Sequence, residues 1–292
     1  MRHVHDPRTA CGREDFIAVE EPLEIRIAGD PVAVTMRTPG DDGDLALGFL
    51  YAEGIIASAA DVGSIAHCGR PGDEGYGNVL EVSAAPGVAL AFERVEASRR
   101  GTITTAACGV CGRRTVEDLM TACVPVADGP RIAAGVITSA VAQLSEVQRV
   151  FERTGGTHAA AAHGPDGRRA VAREDVGRHN AVDKVIGALL RDGRIGASRV
   201  HAPAPRLDPE IGGPGGAPPE QRGDGPVLLV VSGRASFEMV QKATRAGIPI
   251  VASVSAPTTL AVDLAIAANV TLAGFVRGDV VNLYAHPERI VP

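Results

Sequence analysis

Val227-Leu228-Leu229-Val230-Val231 is a wholly apolar run that stops at Ser232-Gly233-Arg234-Ala235-Ser236, and this pattern recurs before the chain ends. A short apolar run bounded by turn residues predicts a strand buried on both faces. Phe237 to Ala246 then reads as a helix stopped by Gly247. Ile248 to Val254 is a second strand, with Ser253 and Ser255 near its end. Pro257-Thr258-Thr259 opens a helix to Asn269, and Val270 to Val276 is a third strand. Strand–helix–strand–helix–strand predicts a parallel sheet with helices on its faces. Ligands of such sheets bind beyond the carboxyl ends of the strands. Standing there are Ser232, Gly233, Arg234 and Ser236, then Ser255, Thr258 and Thr259, then Phe275, Arg277, Gly278 and Asp279. Hydroxyls, glycines and arginines beside helix N-termini suit phosphate groups. The same Ser and Thr residues also serve as helix N-caps, and the pattern does not separate the two readings. Neither GxGxxG nor a Walker A run is present, so ordinary dinucleotide or ATP binding is unsupported.

Upstream, Ala202 to Pro226 is rich in Pro and Gly, lacks periodicity, and reads as an exposed insertion. Ser139 to Arg153 is an amphipathic helix closed by Gly155-Gly156. Thr157 to His163, the turn Pro165-Asp166-Gly167 and Arg169 to Arg173 form a hairpin. It runs into Glu174-Asp175-Val176-Gly177-Arg178-His179-Asn180-Ala181-Val182-Asp183-Lys184. From Asp175 or Gly177 this is a helix ending near Gly193, with His179 and Asp183 on one face. A lone histidine such as His158, His163 or His179 is more often structural than catalytic. Glu174, Asp175, Arg178 and His179 converge at a strand-to-helix junction, as a site or as a cap with surface pairs. Towards the N-terminus, Met1 to Asp15 looks disordered. Leu23 to Ile27 and Val32 to Met36 alternate as a hairpin. Leu45 to Tyr51 is a short helix with Asp44 as N-cap and Gly54 at its end. Val79 to Val82 and Val88 to Phe92 are further strands. The expected division is an α+β domain over 16–105, a flexible cysteine loop and short helix over 106–123, and an α/β domain over 124–292 carrying the 202–226 insertion.

The chemistry lies in Cys108-Gly109-Val110-Cys111-Gly112-Arg113-Arg114. Thiolates are the nucleophiles of sulfur chemistry, and two cysteines this close can act in turn on one substrate. Thr115 to Cys123 reads as a short helix, so the pair precedes a helix N-terminus, which favours thiolate. Arg113 and Arg114 add positive charge. Half of a structural zinc site is an alternative, but the remaining cysteines, Cys11, Cys68 and Cys123, are single. A thioredoxin-type site expects an apolar strand just before the motif; here the preceding stretch is rich in Thr and Arg.

The chain has 292 residues, 45% hydrophobic and 22% charged, which is ordinary for a globular protein. A net charge of -6 does not favour nucleic acid as a partner. No apolar run is long enough to span a bilayer, and the polar start has no secretory h-region. With few cysteines, a cytoplasmic location with free thiols is expected.

In combination, these segments resemble the formate dehydrogenase accessory sulfurtransferases, the FdhD family. The resemblance runs from about Glu20 to Ile290. It rests on Gly48-Phe49-Leu50 with Glu53-Gly54-Ile55-Ile56, the Cys108–Gly112 motif, Thr154 to Ala160, Glu174 to Lys184, Ser232 to Lys242, and Gly274 to Gly278. It implies a sulfur relay. A cysteine desulfurase hands sulfur to the protein as a persulfide on Cys108, with Cys111 as its partner. The protein passes that sulfur to the molybdenum cofactor in its bis-guanine-dinucleotide form, a bound substrate rather than a permanent cofactor, destined for formate dehydrogenase. The family's cofactor-binding segment maps to Phe275-Val276-Arg277-Gly278-Asp279-Val280. Ser232, Gly233, Arg234, Ser236, Thr258 and His179 are expected beside it. No resident metal is implied. A homodimer is, as is an α/β fold similar to cytidine deaminase: a mixed or parallel sheet with helices on both faces, plus the smaller N-terminal domain. Deaminase chemistry is not implied, because no H-x-E precedes the cysteines and Ala107 replaces the proline of P-C-x-x-C. Two alternatives stand beside the relay: a non-catalytic chaperone for the cofactor, and a zinc-stabilised interaction module.

Overall fold

The computed structural model describes residues 2–6, 11–70, 72, 76–90, 123–196 and 225–292. Outside them lie Cys108 and Cys111, all but Cys123 of the helix expected to follow, and the 202–226 insertion except its last two residues.

The N-terminal residues expected to be disordered pair instead: β1 (Arg2–Asp6) runs antiparallel to β2 (Cys11–Asp15). A ladder is backbone hydrogen bonding, which polar side chains permit. The next hairpin forms as expected from β3 (Glu21–Ile27) and β4 (Asp30–Arg37), alternation burying Leu23, Ile25 and Ile27. The following helix, α1 (Asp42–Ala52), starts three residues earlier than expected. Its N-cap is Asp41, and Asp44 lies buried in its first turn, ion-paired to Arg173 and Arg191. β5 (Val62–His67) and β6 (Val79–Ala84) complete a four-stranded sheet in the order β4-β3-β6-β5. Val88 to Leu90 are not a strand, and the rest of that expected strand lies outside the described residues.

After β7 (Ile132–Ala133), the amphipathic stretch is two helices, α2 (Ala134–Val147) and α3 (Arg149–Thr154), broken at Gln148. Glu174 supplies the reason for the second start: its carboxylate accepts the N–H groups of Val150 and Phe151 at 2.9 Å. Gly155, in the left-handed region, closes α3. The hairpin of β8 (His158–His163) and β9 (Arg169–Asp175) leads into α4 (Arg178–Arg191). Then come β10 (Leu228–Val231), α5 (Phe237–Arg245), β11 (Ile250–Ser253), α6 (Thr259–Ala267) and β12 (Thr271–Arg277), as the apolar runs predict. β13 (Val280–Ala285) turns back along β12, and β14 (Ile290–Val291) pairs with β7.

The large sheet has the order β13-β12-β11-β10-β8-β9. β10, β11 and β12 are mutually parallel, whereas β8 lies antiparallel to β10. Alternate residues along β8 and β10 bury opposite ways. Ala160, Ala162, Leu229 and Val231 join the core that holds α4, α5 and α6. Ala159, Ala161, Leu228 and Val230 face α2. Helices therefore cover both faces. The first of these cores also contains Leu23, Ile25, Ile27 and Leu80 of the small sheet.

α1 and α4 meet backbone to backbone. A Cβ on Gly48 would lie 1.9 Å from the carbonyl oxygen of Asp183, and one on Gly187 would lie 1.8 Å from that of Asp44. Only glycine fits either position.

Candidate functional site: the carboxyl edge of the large sheet

Because β8 is antiparallel to β10, its first residue lies at the edge where the parallel strands end. His158 thus joins the loop after β10, and α4 begins there too, since His158 pairs with Asp175 at the end of β9. The loops after the strands are stitched together by backbone bonds of 3.1 Å. These run from Ala235 N–H to Ala256 O, from Thr258 N–H to Ala235 O and from Phe275 N–H to Ser255 O. Ser253 Oγ donates to Gly233 O at 2.6 Å. A Cβ on Gly274 would lie 2.9 Å from Pro257 Cδ, so glycine is needed there for the loops to close.

The residues expected from the sequence do share this edge, but they differ in what they are free to do. Thr258 is an N-cap, accepting the N–H of Ala261 at 3.4 Å. Ser232 accepts the N–H of Ala159 at 2.9 Å, which joins β8 to the loop. Ser236 precedes α5 yet makes no side-chain cap bond, and its Oγ is buried without a partner. His179 is buried and its Nε2 lies 2.6 Å from Glu238 Oε2, which ties α4 to α5. The Val276 side chain belongs to the core, 1% exposed, so it has no surface to offer a ligand. Arg234, Phe275, Arg277, Gly278, Asp279 and Val280 are exposed.

Phe275 is unusual in two ways. Its ring is 43% exposed, and its backbone has φ +52°, a left-handed conformation that a bulky residue adopts at a cost. The β12–β13 register shifts between Gly274 and Arg277, around this residue. A strained, exposed aromatic beside Arg277 sets this strand end apart from the buried first half of β12.

The acidic members of the expected junction cluster serve structure. Glu174 caps α3 and accepts from the Thr157 hydroxyl at 2.8 Å. Asp175 is wholly buried: it pairs with Lys184 at 2.8 Å and accepts from the Thr38 and Gly177 N–H groups and the Asn180 amide. Further along α4, Asp183 and Lys242 pair at 2.6 Å. Arg178 and His158, outside the set of ligand contacts expected from the sequence, flank Gly233. A Cβ there would lie 3.5 Å from His158 Nδ1 and 3.6 Å from Arg178 Cδ. Burial, then the positive charge of Arg178, holds the half-buried His158 ring below the ordinary histidine pKa, hence neutral at pH 7.

Among the described residues, no three His, Cys, Asp or Glu side chains gather as metal ligands. No helix among them is long and apolar enough to cross a membrane.

The FdhD/NarQ family model matches residues 18–211 and 218–291. A sulfur carrier protein FdhD of Anaeromyxobacter dehalogenans strain 2CP-1 is 54% identical over 276 residues, covering 94% of this chain and 88% of the relative. The sulfur carrier protein FdhD of Mycobacterium tuberculosis strain H37Rv is 45% identical over 300 residues, covering 99% and 96%. A crystal structure from Desulfotalea psychrophila, assigned as a formate dehydrogenase accessory protein, superposes with a TM-score of 0.68 at 23% identity. It covers 99% of this chain and 97% of that one, a likeness of fold.

Proposed function

This chain belongs to the FdhD/NarQ family, and we propose that it is a sulfur carrier that takes persulfide sulfur from a cysteine desulfurase and delivers it to a guanine-dinucleotide molybdenum cofactor bound at the carboxyl edge of the large sheet. The beneficiary is formate dehydrogenase. Support for the sulfur half comes from Cys108 and Cys111 beside Arg113 and Arg114, and from relatives that bear the sulfur-carrier name. The observation that carries the binding half is the strained, exposed Phe275 beside Arg277, at an edge where loops and helix N-termini converge.

The Cys108 thiolate attacks the outer sulfur of the donor's cysteine persulfide. A new S–S bond forms on Cys108, the donor's S–S bond breaks, and the donor thiolate leaves. One sulfur atom moves with no net oxidation. Delivery then takes one of two balanced forms. The outer sulfur is handed directly to the molybdenum, the metal gives up the two electrons that reduce it to sulfide as the Cys108 S–S bond breaks, and Cys108 is left as a thiolate. Alternatively, Cys111 attacks Cys108 Sγ, a Cys108–Cys111 disulfide forms and sulfide leaves. At the edge, Arg234 and Arg277 meet the nucleotide's phosphates, and the Phe275 ring offers a stacking face.

Mass spectrometry after incubation with a cysteine desulfurase and cysteine tests the relay. The expected result is a gain of one sulfur that maps to Cys108 and disappears in Cys108→Ala. If Cys108→Ala fully restores formate dehydrogenase activity in cells lacking the protein, the relay is wrong and a non-catalytic chaperone takes its place.

A further inference from the structure

We propose that Arg178 and His158, which both approach the open side of Gly233, form a notch that holds a phosphate group of the nucleotide tail of the substrate. This deepens the reading above and rests on it for the identity of the ligand.

Arg178 is the first residue of α4, where the helix's own partial charge is positive. The first turn contains no acidic residue, and its N-cap is Gly177, which has no side chain to cap with. A cation at that position is locally unfavourable. Nor is it neutralised: the Arg178 Nε is buried with no hydrogen-bond partner, and no carboxylate lies within ion-pair distance among the described residues. The three nearby carboxylates are committed elsewhere. Glu174 serves α3, Asp175 serves Lys184 and the β4–α1 connection, and Glu238 serves His179. An uncompensated, partly desolvated guanidinium is a strong anion receptor.

The rest of the notch matches that charge. His158 supplies a ring nitrogen beside the same opening, 3.5 Å from where a Gly233 Cβ would lie. The buried, unpartnered Ser236 Oγ stands at the adjoining start of α5. Gly233 leaves the opening clear, and its carbonyl is pinned by Ser253, so the floor is fixed before a ligand arrives. A tetrahedral dianion meets several donors there at once, which suits phosphate better than a singly charged sulfur. The notch and the Phe275–Arg277 strand end share the stitched edge, with the loop after β11 between them.

Isothermal titration of the full chain with inorganic pyrophosphate, GDP and guanosine is the test. Wild type is expected to bind pyrophosphate and GDP with an affinity that falls as salt rises. Arg178→Gln and Gly233→Val should each weaken both ligands about ten- to hundredfold. Arg178→Lys should recover part of the loss and His158→Gln should show a smaller one, while guanosine binding should not depend on Arg178. Far-UV circular dichroism and melting curves establish that each variant is folded. Unchanged pyrophosphate and GDP affinity in folded Arg178→Gln would overturn the notch. So would an Arg178 effect confined to sulfur loading of Cys108, and so would wild type that binds neither ligand. Sulfur loading is read separately, so in each case the carrier function stands or falls on its own result.

Discussion

At the end of β8, His163 is fully buried and neither ring nitrogen has a partner. Burial, then the charge of Arg169, pushes its pKa down to about 4. The unfolded chain therefore takes up this proton at higher pH than the folded one. Stability from this group is complete above about pH 6.5 and falls as pH drops towards 4, by at most about 1.4 kcal/mol per pH unit. Denaturant melts at pH 7.5, 5.5 and 4.5 should show this slope in wild type and lose it in His163→Leu. Phe275 carries the opposite trade. Phe275→Gly should relieve the left-handed strain and stabilise the fold by about 1 kcal/mol, while weakening GDP binding in the same titration. The residue scale is also where the sequence was least legible. Ser232, Ser236 and Thr258 look alike in a strand-to-helix loop. The structure gives one to a strand joint and one to a helix cap, and leaves the third without a partner. Val276 sits between exposed neighbours yet faces the core, because alternation along β12 decides its direction. Arg178 was visible in the sequence as a member of the Glu174–His179 junction, but that its acidic neighbours are committed to other partners was not.

Among the elements, the contact of α1 with α4 is the least tolerant. Gly48→Ala or Gly187→Ala would force a methyl against a backbone carbonyl, so the helices must part. A loss of at least about 3 kcal/mol, or failure to fold, is expected in urea melts. Lys242→Met would leave the Asp183 carboxylate buried and alone and should cost about 3–5 kcal/mol. Adding Asp183→Asn should return part of it. The apolar runs that end at Val231, Val254 and Val276 were readable because a fully buried parallel strand has no polar alternation to blur it. Three features were not readable. The helix break at Gln148 depends on Glu174, which is distant in sequence and leaves no local signal. β13 alternates at a sheet edge and looks like loop sequence, since Val280, Asn282 and Tyr284 are exposed. The insertion of β8 between β10 and β9 is a tertiary choice that periodicity does not encode.

For the molecule as a whole, one core joins the small sheet to the large one, and buried polar contacts reinforce the joint. Lys184 reaches the Thr38 carbonyl at 2.8 Å and Asn180 reaches that of Met36 at 2.8 Å. A single cooperative thermal transition, coincident by circular dichroism and tyrosine fluorescence, is therefore expected despite two sheets. Separate transitions would show the joint to be weaker than it looks. The fold class was legible at this scale because strand–helix alternation is a property of long segments. The joint was not, because it couples residues more than a hundred positions apart. The paired glycines of α1 and α4 bear on how the proposed cargo would be received. Two backbones in contact act as a weld rather than a bearing: neither rod can slide without driving a carbonyl into its neighbour. The rim above them therefore behaves as a fixed socket. Loading it should leave the solution scattering profile of the framework unchanged.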